Sequence, residues 1–141
     1  MKNIIIFILI ISLFSCGRNS QENAATQVVQ KTPLELRKEL LLKEQGNPKV
    51  YLKYEGTWRK NFIGESVLEG TISNTATLAN FKDVILNITW TTKTNTELKT
   101  EQKIVYEFLS AGKSIDYKIK VKAPSETGGA RVNINSATAV K

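Results

Sequence analysis

Histidine is absent from the chain, and cysteine occurs once, as Cys16. Without histidine, no serine–histidine or cysteine–histidine pair is available to activate a nucleophile. A zinc site would have to rest on carboxylates alone, against the usual donor set. A lone cysteine excludes an internal disulfide. Asp83 and Asp116 are the only aspartates, and neither stands in a calcium-loop spacing. No glycine-rich phosphate loop occurs. Glu65 and Glu69 are the nearest pair of carboxylates for acid–base work, and both read as solvent-face residues. The chain therefore reads as a non-enzyme with no cofactor, no metal and no small-molecule substrate. Long hydrophobic runs are missing too. Ile4 to Phe14 is apolar except for Ser12, shorter than the about 20 residues that cross a bilayer.

What is present is uneven. Hydrophobic residues make up 41% and charged residues 23% of the 141, a globular balance that supports one domain. The net charge is +7, and Ser110 to Lys141 carries six basic residues against two acidic ones. The last quarter is thus the basic part.

The organising stretch is the N-terminus. Lys2, the short apolar run and small residues after it form a secretory signal peptide pattern over residues 1–15. Its end, Leu13-Phe14-Ser15-Cys16, resembles the lipobox of bacterial lipoproteins. That resemblance implies cleavage before Cys16 and lipidation of its thiol and new amino terminus. Three acyl chains make the attachment permanent in practice. Gly17, in place of aspartate, implies an outer-membrane address by the sorting rules of that family, and Gln21 and Glu22 leave periplasmic or cell-surface exposure open. A protein exported and tethered in this way is a poor partner for nucleic acid; its expected partners are the membrane and another envelope protein.

Residues 16–31 are polar and small and read as a flexible tether, about 20 Å long in the root-mean-square sense. Residues 32–46 read as a short helix. Thr32 caps it, Pro33 suits its first position, and Glu35 completes a capping box. Gly46 and Pro48 stop it. Leu34 and Leu41 share one side, Leu36 and Leu40 another. The helix packs across one end of a sheet, or offers Leu36 and Leu40 to a partner.

From Lys49 the period changes to two, and residues 49–141 read as a β-sandwich domain. Val50, Leu52, Tyr54 and Trp58 alternate with polar residues. So do Leu68 and Ile72; Val84, Leu86, Ile88 and Trp90; Ile104, Tyr106 and Phe108; Ile115, Tyr117, Ile119 and Val121; and Val132 and Ile134. These are six half-buried strands, separated by turn chemistry at Asn74 to Asn80, Lys93 to Thr96, Ala111 to Lys113 and Pro124 to Gly129. The fold class expected is mainly β, an antiparallel sandwich of two layers preceded by one short helix.

Gly70-Thr71-Ile72-Ser73-Asn74, Phe81-Lys82-Asp83-Val84-Ile85-Leu86-Asn87-Ile88 and Leu109-Ser110-Ala111-Gly112-Lys113-Ser114 together resemble the immunoglobulin-like modules of FxLYD type in bacterial envelope proteins. The resemblance spans Val67 to Val121. It implies an immunoglobulin-like fold and a non-catalytic character, and it transfers no site residue. The Phe-x-Leu-Tyr-Asp string itself is absent.

Two binding surfaces are expected. Lys118, Lys120 and Lys122 share one strand face and could hold phosphate or carboxylate groups of an anionic envelope polymer, a glycan or lipopolysaccharide; such lysines also guard solvent-facing strands against aggregation. Trp58 and Trp90 fall on apolar faces and read as core. Tyr51 falls on the face opposite Trp58, and the alternation supplies no row of exposed aromatics.

Overall fold

The computed structural model describes residues 30–140. The signal peptide, Cys16 and all but the end of the tether lie outside them. Lys31–Lys141 forms one compact unit.

The first helix, α1, spans Pro33–Gly46. Thr32 Oγ1 accepts from Glu35 N at 3.3 Å, and Glu35 Oε2 accepts from Thr32 N at 2.7 Å. Both halves of the capping box are thus made, satisfying donors that a helix start leaves orphaned. Those bonds hold the Glu35 carboxyl below its usual range. Asn47, at φ −134°, ends the helix, and its side chain donates to Lys43 O at 3.1 Å.

Pro48 then starts a second helical turn, α2, Pro48–Tyr51. This corrects the reading of Val50 as a strand residue. Proline fixes the φ of a helical first position as readily as it blocks a continuing helix, so Val50 sits on a turn and is 68% exposed. Tyr51 packs partly against the core instead of facing away from it.

Six strands follow: β1 Leu52–Lys60, β2 Ser66–Asn74, β3 Phe81–Thr91, β4 Glu97–Leu109, β5 Ser114–Val121 and β6 Gly129–Ala139. They form two antiparallel three-stranded sheets, ordered β1-β2-β5 and β4-β3-β6. β1–β2 and β3–β4 are hairpins. β5 returns beside β2 and β6 beside β3, so the later connections cross between sheets. The two sheets form an antiparallel β-sandwich.

Between the sheets lie Leu52, Leu68 and Ile72 from one layer and Phe81, Val84, Leu86, Ile88, Trp90, Val105 and Leu109 from the other, with Tyr117 and Val121 from β5. Trp58 and Trp90 meet edge-on with ring centroids 6.3 Å apart, a favoured aromatic geometry. Trp90 Nε1 donates to Glu101 Oε1 at 3.1 Å.

β4 overturns one expectation. Its period of two is present, but the faces are exchanged. Val105 and Leu109 are buried, while Ile104, Tyr106 and Phe108 are 39%, 77% and 53% exposed. The register with β3 decides this. Val84 pairs with Val105 and Phe81 with Leu109, and the irregularity between Lys82 and Val84 carries Asp83 at φ +50°. β-bulges re-aim side chains in this way, and an edge strand alternates too weakly to choose its own inner face.

The residues that carried the family resemblance have structural roles here. Gly70 lies opposite Gly56 and Tyr117 across β1-β2-β5. The two glycines leave room on this row for a hydroxyl pair, in which Tyr117 Oη donates to Tyr54 Oη at 2.6 Å. Burial, and then that bond, raise the Tyr117 phenol far above its usual range. Asn74 is buried; it donates to Ala79 O at 2.8 Å and Leu109 O at 3.2 Å and accepts from Ala76 N at 3.0 Å. It thereby holds the β2–β3 loop against the end of β4. Gly112 takes the left-handed φ of +68° that its turn needs.

Candidate functional site

The outward faces of the two sheets differ in chemistry. Sheet β1-β2-β5 carries charge. Arg59 grips Glu69 with two bonds, Nε to Oε1 at 2.8 Å and Nη2 to Oε2 at 3.3 Å. Lys118 Nζ reaches Glu69 Oε2 at 3.2 Å, and Lys120 Nζ reaches Glu65 Oε2 at 3.2 Å. Two of the three lysines singled out from the sequence are therefore paired, and Lys122 forms no ion pair among the described residues. Arg59 above all, and Lys118 next, hold the Glu69 carboxyl down at about 2. Asn61, and then Lys120, lower that of Glu65. Both glutamates stay ionised at neutral pH, so neither is poised to give up a proton as a general acid. Among the described residues no three His, Cys, Asp or Glu side chains gather into a metal-binding group. Among them, too, no helix is long and apolar enough to cross a membrane.

Sheet β4-β3-β6 is different. Across its outward face the register aligns Thr100, Thr89 and Arg131; then Gln102, Asn87 and Asn133; then Ile104, Ile85 and Ser136; then Phe108, Lys82 and Thr138. Tyr106 stands between Ile104 and Phe108 on the same side of β4. Arg131 Nη2 meets Glu97 Oε1 at 2.6 Å, which leaves Lys82 as the one charge on these rows outside an ion pair among the described residues. Thr89 and Thr100 share a hydroxyl bond at 3.0 Å. The result is an amide and hydroxyl surface bordered by Ile104, Tyr106 and Phe108 on a strand whose other edge pairs with no strand among the described residues.

The helix presents a third surface. Leu41 packs against the core, whereas Leu34, Leu36, Leu40 and Leu42 are exposed, Leu36 to 52% and Leu40 to 37%. A shallow groove of about 390 Å³ runs beside Leu34, Arg37, Lys38, Leu41 and Leu78; neither Leu36 nor Leu40 lines it. The helix is fastened by Glu44, only 1% exposed, whose carboxylate accepts from Thr77 N at 2.9 Å and from Leu78 N and Ala79 N at 2.8 Å each. Gln45 Nε2 adds a bond to Val140 O at 3.1 Å.

Sequence reasoning missed Glu44 and the β4 stripe. Glu44 lies three residues after Leu41, on the helix face that turns inward; a carboxylate at a core-facing position is the available signal. For β4 the signal is Val105 and Leu109, an inner pair outnumbered by the three apolar residues of the opposite parity.

No protein-family model, curated protein or solved structure matches this chain.

Proposed function

We propose that the protein is a membrane-anchored envelope lipoprotein whose sandwich serves as a non-catalytic interaction module for another envelope protein. Lipidation of Cys16, at the outer membrane, is part of this reading and rests on the lipobox resemblance. The observation that carries the interaction role is the outward face of β4-β3-β6. Interface cores are depleted of charge and enriched in aromatic residues, and exposed contiguous apolar surface marks interaction sites. In a chain with 23% charged residues, a three-stranded face whose paired rows carry, among the described residues, Lys82 alone outside an ion pair, together with a row of Ile104, Tyr106 and Phe108, fits that description. The partner it suits is a protein surface that is itself uncharged and partly apolar. Leu36 and Leu40 provide a smaller, separate surface.

Cross-linking in intact cells tests this. The Tyr106→Ser/Phe108→Ser variant is expected to lose the cross-linked partner at least about tenfold, because buried aromatic anchors dominate such interfaces. Its folding stability should change by less than about 1 kcal/mol, as both side chains are exposed. Undiminished recovery of the partner would remove this face from the proposal, and recovery of glycan without protein would replace the proposal with sugar binding. Cys16→Ser is expected to move the protein from the membrane to the soluble fraction. Retention at the membrane would refute the lipid anchor while leaving the interaction face standing.

Binding of an anionic envelope polymer through Lys118, Lys120 and Lys122 has less support. Glu65 and Glu69 already neutralise two of these lysines, and exposed paired charges gain little from a further partner in salt.

A further inference from the structure

Phe62, the most exposed large apolar side chain of the described residues, sits beside Ile63 at the tip of the β1–β2 hairpin. Phe62 is fully exposed and Ile63 is 77% exposed. They cover nothing in the core, and the loop that carries them is held firmly. Asn61 N donates to Glu65 O at 2.9 Å, and Gly64 N donates to Asn61 O at 3.0 Å. Asn61 Oδ1 accepts from Ile63 N at 3.2 Å and from Glu65 N at 2.8 Å, while Asn61 Nδ2 donates to Glu65 Oε2 at 2.8 Å. Gly64 supplies the φ of +79° that the turn requires. A short loop with this many internal bonds presents Phe62 and Ile63 in one fixed direction.

Cations surround the base of the tip. Lys60 ends β1. Lys120 and Lys122, from the end of β5 and the residue after it, line a cleft of about 560 Å³ together with Ile63, Gly64 and Glu65. Glu65 pairs with Lys120, and Glu69 is shared between Arg59 and Lys118. Lys60 and Lys122 form no ion pair among the described residues, so the base of the tip keeps a positive balance. Glu126 is the remaining acid of the neighbouring β5–β6 loop.

We propose that this tip is a lipid-surface contact, in which Phe62 and Ile63 insert among the headgroups of an anionic bilayer while Lys60 and Lys122 meet the headgroup phosphates. Apolar side chains at the apex with lysines behind them match the layering of a membrane interface: hydrocarbon deepest, negative phosphate above it. Long lysine stems reach from the protein to the phosphates without burying their charge. This contact is independent of Cys16; where a lipid anchor holds the chain near a bilayer, the tip would fix the orientation of the domain on it.

The test uses the chain from Gly17 onward, which has no anchor and keeps the whole compact unit. Sedimentation with vesicles of phosphatidylglycerol and phosphatidylcholine should carry the protein down, and vesicles of phosphatidylcholine alone should bind it at least about tenfold more weakly. Phe62→Asp/Ile63→Asp should reduce binding to the anionic vesicles at least about tenfold. Lys60→Gln and Lys122→Gln should each reduce it about fivefold. Phe62→Trp, a conservative change at an exposed site, should show a blue-shifted emission on adding anionic vesicles. The proposal fails if the wild-type chain stays in the supernatant. It fails equally if the double aspartate variant binds undiminished, or if the Phe62→Trp emission does not move while the protein sediments.

Discussion

Replacing Glu44 with alanine is expected to destabilise the fold by about 3 kcal/mol or more, and to free the end of α1 from the sandwich. The carboxylate is buried and accepts from three successive backbone N–H groups of the β2–β3 loop. Each buried donor left without a partner costs about 1–3 kcal/mol. Water entering the space would recover part of this, which sets the lower figure. Glu44→Gln keeps the shape and one acceptor oxygen but loses the charge that strengthens all three bonds; a loss of about 1–2 kcal/mol is expected. The pH dependence separates these effects. Burial alone would push the Glu44 carboxyl up, but the donations from Thr77, Leu78 and Ala79 outweigh it and hold the pKa below the ordinary 4.5. A depressed folded-state pKa means that the stabilisation is fully present above about 4.5 and is lost as pH falls through the lower, folded value. Other glutamates with lowered values contribute to the same acid limb, so the informative quantity is the difference between variants. Urea unfolding of wild type and Glu44→Gln should converge as the pH drops below 4.5. A constant gap across that range, or an alanine variant as stable as wild type, would show that Glu44 does not fasten the helix.

Gly70→Ala should be the most damaging single methyl group in the protein. A Cβ at this position would lie 2.1 Å from Glu55 O and 2.4 Å from Gly56 Cα. Both obstacles are backbone atoms of the neighbouring strand, so no side-chain rotation relieves the clash. β1 would have to separate from β2, taking Leu52, Tyr54 and Trp58 away from the core they pack on. A cost of about 3 kcal/mol, at the upper end of overpacking losses, is expected. Gly46→Ala is the control. It ends α1, nothing lies within 4 Å of its added Cβ, and alanine favours a helix there by about 0.5–1 kcal/mol. Equal melting temperatures for Gly70→Ala and Gly46→Ala would mean that β1 and β2 are not as closely apposed as their register requires.

Both effects involve residues whose neighbours in space are remote in sequence, and the same division runs through the rest of the molecule. Thr32 and Glu35 cap a helix because they stand three residues apart, and turn residues such as Gly112 act on the chain immediately around them. The alternation along β2, β3 and β5 follows from the pleat alone. Such local rules were sufficient for the first helix, the existence of six strands, four of the five connections between them and the sandwich class. They were also sufficient to place Trp58 and Trp90 on core-facing sides. Cys16 and the segment before it are read from the sequence only, since they lie outside the described residues.

Tertiary structure decided what local rules leave degenerate. A period of two specifies that β4 has two faces, but only its register with β3 put Val105 and Leu109 inside and turned Ile104, Tyr106 and Phe108 outward. Lys118 and Lys120 look like free cations until β5 lies beside β2 and brings them to Glu69 and Glu65. Glu44 resembles any helical glutamate until the β2–β3 loop closes its three N–H groups over it. Phe62 and Ile63 could have been buried hairpin residues until the bonds of Asn61 held the turn away from the core. In each case the deciding energy is a contact with another strand, loop or solvent boundary, which no window of neighbouring residues contains.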